Sequence, residues 1–261
     1  MEIWGDIFMA QSFYFSPTNT TKKVIEGIVK GLAKEVTEHN LTFVEKNSND
    51  YEVSKDEIAI VGIPVYAGRV PEVILDSLKS IKGNGGVAIA VVTYGNRAYE
   101  DALLELVDIL KDQNFKVIGA GAFIGEHSYT KNVGHKRPDD EDISVAENFG
   151  KEISKKIESG DLSEVSVPGN YPYKERKPKS IFAPVAKNEC VYCRKCPIVC
   201  PVYAIDMRKP DIVNVEKCIH CCACIKVCGF NARELRDEGV LEKIKWLEEN
   251  CKDRKSIETF L

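Results

Sequence analysis

Two stretches of the chain carry cysteine at the same intervals: CVYCRKCPIVCP, from Cys190 to Pro201, and CIHCCACIKVCG, from Cys218 to Gly229. Each reads C-x2-C-x2-C-x3-C. Thiolates bind both zinc and iron–sulfur clusters, so the spacing must decide between them. Zinc takes four ligands per site, normally as two pairs separated by a longer spacer. Three closely spaced cysteines with a displaced fourth, repeated, suit that poorly. They match instead the run that holds paired [4Fe–4S] clusters, where three thiolates wrap one corner of a cubane and the fourth reaches the other cluster. The ligands therefore cross over. Cys190, Cys193, Cys196 and Cys228 form one set, and Cys218, Cys221, Cys224 and Cys200 form the other. Cys222 and Cys251 fall outside the pattern. Cys222 reads as a small buried filler, and Cys251 receives no role.

A second stretch with chemistry in it is YFSPTNTTKKV, beginning at Tyr14. Ser16, Thr18, Thr20 and Thr21 crowd a turn between a strand-like and a helix-like segment. Backbone N–H groups at a helix N-terminus attract phosphate, and clustered hydroxyls add donors without adding charge. One helix cap needs one hydroxyl; this turn has a surplus.

SPTNTT resembles the phosphate loop of flavodoxins, matching at Ser16, Thr18 and Thr21. Asn19 stands where the family usually has glycine, and asparagine tolerates left-handed backbone better than other residues with a Cβ. Two further stretches are similar to the flavin loops of that family: PVYAGRVP at 64–71 and TYGNRAYED at 93–101. The resemblance implies FMN. Ser16, Thr18, Asn19, Thr20 and Thr21 would hold its phosphate. Pro64, Tyr66, Ala67 and Gly68 would line one side of the ring, and Thr93, Tyr94, Gly95, Asn96 and Tyr99 the other. The segment 187–232 resembles two-cluster bacterial ferredoxins, with Gly229 in place of the proline that usually follows the second run. Together the two parts resemble the flavodoxin–ferredoxin fusion proteins of anaerobic bacteria and archaea.

Alternating strands and helices must carry these loops. QSFYF at 11–15, IAIVGI at 58–63, VAIAVV at 87–92 and KVIGAGAFI at 116–124 read as buried parallel strands, with LTFVE at 41–45 as a weaker fifth. Helical periodicity fills 22–36, 98–113 and 142–158. The expected fold is α/β, a doubly wound five-stranded parallel sheet of flavodoxin type, followed by a small α+β two-cluster ferredoxin-like unit. The expected divisions are 1–159 for the flavin domain, 160–186 for a proline-rich linker, 187–236 for the cluster domain, and 237–261 for a closing helix and tail. The linker's basic cluster from Lys174 to Lys179 reads as solvated. GAGAFIG at 119–125 has its glycines inside a strand-like run with the wrong spacing for a dinucleotide fingerprint.

The 261 residues carry a net charge of -4 and ordinary globular proportions, 44% hydrophobic and 29% charged. This gives no indication of nucleic acid or membrane as a partner. MEIWGDIFMAQSFYF reads as the entry to a first strand rather than a signal peptide. With no apolar run of about 18 residues and no signal peptide, the chain reads as cytoplasmic, where thiols stay reduced and ten cysteines point to metal ligation rather than disulfides. The function this implies is electron transfer between two [4Fe–4S] clusters and FMN, with redox proteins as partners. The alternatives are a flavin-dependent reductase of a small acceptor such as a quinone, and a redox or oxygen sensor. A lid formed by 125–141 would favour the reductase, with His127 either a proton donor or a loop histidine bonded to backbone. Arg69 and Arg97, in the two flavin loops, would favour the anionic reduced flavin if they face it.

Overall fold

A computed structural model describes residues 9–44 and 50–261. The N-terminal stretch before Met9, and Glu45 of the weak strand candidate, lie outside the described residues. The main elements are β1 (Met9–Tyr14), α1 (Thr20–Leu32), β2 (Glu35–Asn40), β3 (Glu57–Pro64), β4 (Val87–Tyr94), α2 (Ala102–Asp112), β5 (Lys116–Ile124), α3 (Asp140–Glu158), α4 (Glu238–Asn250) and β6 (Glu258–Phe260). They form one sheet in the order β6-β5-β4-β3-β1-β2. Strands β1 to β5 are parallel, and β6 pairs antiparallel with β5.

Strands β3, β4 and β5 are apolar throughout because both faces are covered. On one face α1 and α3 pack over Ile58, Ile60, Ile89 and Ile118. On the other, α2 and the helical segment at 72–79 pack over Val61, Ile63, Ala90 and Val92. Helices α1 and α3 touch at backbone level. A Cβ on Gly31 would lie 1.9 Å from Glu147 O, and one on Gly150 would lie 2.2 Å from Ile28 O.

The second strand differs from expectation. Helix α1 stops at Leu32, where Ala33 takes a left-handed φ of 53° and its N–H bonds to Val29 O. The strand is then the polar Glu35–Asn40 rather than LTFVE. It lies on the sheet edge, where a continuous apolar run is not required; Leu41 is buried just beyond it. The sixth strand, β6, was also not foreseen. It is short and comes from the C-terminal tail.

The linker is laid on the sheet domain. Val165 N–H bonds to Val117 O (2.9 Å), and Asp101 accepts from the N–H groups of Asn170 and Lys174. The basic cluster is not simply solvated. Lys174 pairs with Glu100, and Arg176 with Glu105 at 2.8 Å. These two cations find their acids at and just before the first turn of α2.

The cysteine-bearing part is built as a repeat. Left-handed residues recur at matching places in the two copies: Tyr192, Arg194 and Tyr203 in the first, His220, Cys222 and Asn231 in the second. Helical turns Lys195–Ile198 and Ala223–Lys226 follow at matching positions. Cys200 Sγ accepts from Ala204 N–H (3.2 Å), as Cys228 Sγ does from Ala232 N–H (3.3 Å). Val185–Ala186 pairs antiparallel with Arg233–Glu234 and closes the unit.

Candidate cofactor sites

The turn from β1 into α1 has the form an anion site needs. Asn19 is the residue before the helix, at φ 60°, and its side chain makes no cap. Sequence reasoning placed a left-handed residue here, and the backbone adopts it. Ser16 is buried, accepts from Lys22 N–H (3.0 Å), and donates its own N–H to Thr42 Oγ1 (3.0 Å). The Thr18 and Thr20 hydroxyls lie 3.2 Å apart, while the N–H groups of Thr20 and Thr21 have no partner among the described residues. Thr21 is buried, its hydroxyl 2.6 Å from that of Thr93, so it ties the first loop to the third.

The second loop is a tight hairpin. Tyr66 and Arg69 exchange backbone hydrogen bonds at 3.0 Å, with Ala67 and Gly68 both at positive φ, as a type I′ turn requires. Gly68 is needed twice over, since a Cβ there would lie 1.8 Å from Glu100 Oε2. Tyr66 is half-buried. Burial, then the nearby Cys221, Cys222, Tyr129 and Cys218, push its hydroxyl well above the usual phenol range.

In the third loop, backbone and side chains have different uses. Gly95 faces the His127 ring, which a Cβ would meet at 2.6 Å. Asn96 is buried, and its Nδ2 donates to Cys251 O (2.8 Å) and Asp253 O (2.9 Å). The Tyr99 hydroxyl donates to Glu258 (2.9 Å). The Asn96 amide nitrogen and the Tyr99 hydroxyl, expected at the flavin, thus hold the C-terminal tail, while Asn96 Oδ1 is buried with no partner among the described residues and Tyr94 is buried in the core.

Arg69 and Arg97 are both ion-paired, which removes the expected free cations at the flavin. Arg69 binds Glu105 through Nε (2.7 Å) and Nη2 (2.8 Å) and stacks on Tyr173. Arg97 pairs with Glu100 at 2.7 Å.

The loop after β5 stands against the other loops. A Cβ on Gly125 would meet Thr20 at 2.3 Å. His127 Nδ1 accepts from Tyr129 N–H (3.1 Å), the backbone-bonded arrangement. Burial, followed by the charges of Lys243, Lys226 and Arg97, lowers its pKa to about 4. The loop is fastened to the C-terminal part. Glu126 binds Lys226 (2.9 Å), Asn132 and Thr130 bind Glu248, and Val133 packs on Leu247 and Cys251.

Cys200, Cys218, Cys221 and Cys224 line a single small apolar recess, together with residues that include Pro201, Ile205, Ile219 and Arg233. This is the second of the two crossed sets. Among the described residues no three His, Cys, Asp or Glu side chains converge closely enough to hold a single ion. Burial raises the thiol pKa of Cys218, Cys221 and Cys224, that of Cys221 to about 12, so bare thiolates there would be costly without a cation. Cys222 is fully buried beside Phe182, Leu235 and Val240, a hydrophobic filler as expected.

Arg233 was not singled out from sequence. It is buried, donates to Pro184 O (2.9 Å) and Pro210 O, and lies beside Cys196 of one set and Cys218 and Cys224 of the other. A lone arginine in a basic segment offers no spacing signal that could have marked it.

The parallel strands run in the order 2-1-3-4-5, with the reversal between β1 and β3, where such sheets bind ligands. The N-terminal part has the flavodoxin-like fold. No family model matches the sequence, and no curated protein matches it. Solved structures similar to the chain include an archaeal flavodoxin at 16% identity, covering 58% of this chain and 99% of that one, with a TM-score of 0.39. A Fusobacterium nucleatum flavodoxin bound to flavin mononucleotide shows 20% identity, 57% and 98% coverage, and a TM-score of 0.40. The flavodiiron core from Synechocystis shows 15% identity, 60% and 37% coverage, and a TM-score of 0.42. The fold assignment rests on the strand order itself. No helix among the described residues is long and apolar enough to cross a membrane.

Proposed function

We propose that the chain is an iron–sulfur flavoprotein that passes electrons between two [4Fe–4S] clusters and FMN. One observation carries the reading: the thiols of Cys200, Cys218, Cys221 and Cys224 line one recess, and Tyr66 of the flavin hairpin lies beside the same loop. Cofactors so placed would be within short reach of each other without any domain movement. Bound FMN would take one or two electrons and each cluster one.

The chain's own residues have distinct tasks in this reading. The Thr20 and Thr21 N–H groups and the Thr18 hydroxyl would bind the phosphate. The Tyr66–Arg69 hairpin and Gly95 would hold the ring between two loops. The left-handed residues at 192, 194, 220 and 222 give the cysteine loops the concave backbone that places N–H groups around an anionic centre. Arg233 supplies a buried positive charge between the two sets. Glu126 and Lys226 fasten the inner cysteine loop to the flavin side.

One observation favours a second reading, reduction of a small acceptor by the flavin. The segment after β5 packs on the proposed flavin loops at Gly95 and Thr20, where it would cover a bound ring, and His127, neutral near pH 7, lies over Gly95. Cysteine variants test the first reading. Prepared without oxygen, Cys200→Ala and Cys228→Ala should each disturb a different cluster, and only Cys200→Ala the one beside Tyr66. Identical losses in the two variants would count against the crossed assignment.

A further inference from the structure

The two cysteine loops have nearly the same backbone but opposite surroundings. In the second copy, Ile219 packs on the sheet domain's core, His220 stacks on Phe182 at 3.8 Å, Cys222 is buried, and Lys226 pairs with Glu126. The matching residues of the first copy are Val191, Tyr192, Arg194 and Ile198, and all four are exposed. Val191 is 55% exposed and Ile198 59%. Phe230, two residues after Cys228, is 54% exposed. Each of these apolar side chains is within two residues of a cysteine of the first set, and Cys193 itself is exposed.

The hairpin bridged at Ile205 and Val213 extends this surface. Arg233 holds Pro210, at its tip, beside Cys196. Met207 and Ile212 on that hairpin are exposed. So are Arg208 and Lys209, and, on the cysteine loop, Arg194 and Lys195. None of these four cations has an ion-pair partner among the described residues. The carboxylates nearby in sequence are Glu189, Asp206 and Asp211, and Asp206 is turned to the N–H groups of Arg208 and Lys209.

We propose that this outer face docks an acidic one-electron carrier protein, which exchanges electrons with the cluster held by Cys190, Cys193, Cys196 and Cys228. The inference rests on the iron–sulfur reading above. Exposed apolar side chains around a ligand loop supply the contact, and the unpaired cations select a partner of opposite charge and speed its arrival. In each encounter the carrier loses one electron and the cluster gains it, or the reverse, with no bond made or broken. The inner loop is not free in this way, because its equivalent residues are already engaged by the sheet-domain core, Phe182 and Glu126.

The test uses the full chain, loaded anaerobically, and a small acidic two-cluster ferredoxin as probe. Binding is followed by titration of the labelled probe at low and at high salt. Lys195→Glu and, separately, Arg208→Glu/Lys209→Glu should weaken binding severalfold to tenfold at low salt, and raised salt should erase most of the difference. Stopped-flow reduction by the probe should slow in parallel, while reduction by dithionite stays at the wild-type rate. Equal probe binding by all three proteins would overturn the docking proposal even with both clusters present. Self-association of the wild type, blocked by the same changes, would overturn it in favour of a second copy as occupant. Absence of iron from the wild type would instead sink the reading beneath it.

Discussion

Glu105→Gln is a sharp test of how the linker is held, and the linker positions everything after it. Glu105 lies on α2 with a side chain only 7% exposed. It accepts from Arg69 Nε at 2.7 Å, Arg69 Nη2 at 2.8 Å, Val70 N–H at 2.9 Å and Arg176 Nη2 at 2.8 Å. The amide keeps the shape and can still accept from Val70, but it leaves the Arg69 charge without its counter-ion. Arg69 is 12% exposed. Removing one partner of a buried pair costs roughly 3–5 kcal/mol. Arg69 keeps the Lys174 carbonyl and its stacking on Tyr173, which puts the expected loss near the lower end, about 3 kcal/mol. Arg176, 30% exposed, adds little, since exposed pairs are worth about 1 kcal/mol at most. The double variant Arg69→Met/Glu105→Gln should lose less than Glu105→Gln alone, because no buried charge is stranded. Denaturant unfolding measures the loss, and limited proteolysis at Lys174 to Lys179 should speed up in Glu105→Gln. A loss under about 1 kcal/mol with unchanged proteolysis would refute the reasoning.

His127 is neutral in the folded chain down to about pH 4 but would be protonated below about 6.5 when unfolded. Stability should therefore be full above pH 6.5 and fall between 6.5 and 4, by up to roughly 3 kcal/mol, and His127→Gln should flatten this dependence in denaturant titrations at pH 7 and pH 5. Gly95→Ala places a methyl group 2.6 Å from the His127 ring; it should displace the loop after β5 and weaken FMN binding in a fluorescence titration, whereas Gly229→Ala, with nothing within 4 Å, should leave iron content unchanged. Arg233→Met removes a buried cation beside both cysteine sets. It should make the clusters harder to reduce in a redox titration, because a positive charge beside the ligands favours the added electron.

The repeated backbone of the two cysteine loops and the left-handed turn at Asn19 were legible because a fixed spacing of residue types sets the local backbone. The buried strands were legible for a related reason: β3 to β5 are covered on both faces and must be apolar throughout. Strand β2 was misplaced because an edge strand obeys no such rule, and Glu35–Asn40 is mostly polar. The tail was illegible for a different reason. Asn96 and Tyr99 bind groups on residues 251, 253 and 258, contacts that no local pattern announces. The same holds for Arg69 and Arg97, whose acids, Glu105 and Glu100, became visible only once loop and helix were in place. The basic linker was read as solvated because a charge run alone does not reveal that the start of α2 offers it carboxylates.

The most direct test of the account is the cofactor content of the full chain, prepared and assayed without oxygen. It should contain about eight iron atoms and eight acid-labile sulfides, together with one flavin per chain released as FMN. Zinc in place of iron, or a chain that carries its full iron yet binds no flavin when FMN is added, would contradict it.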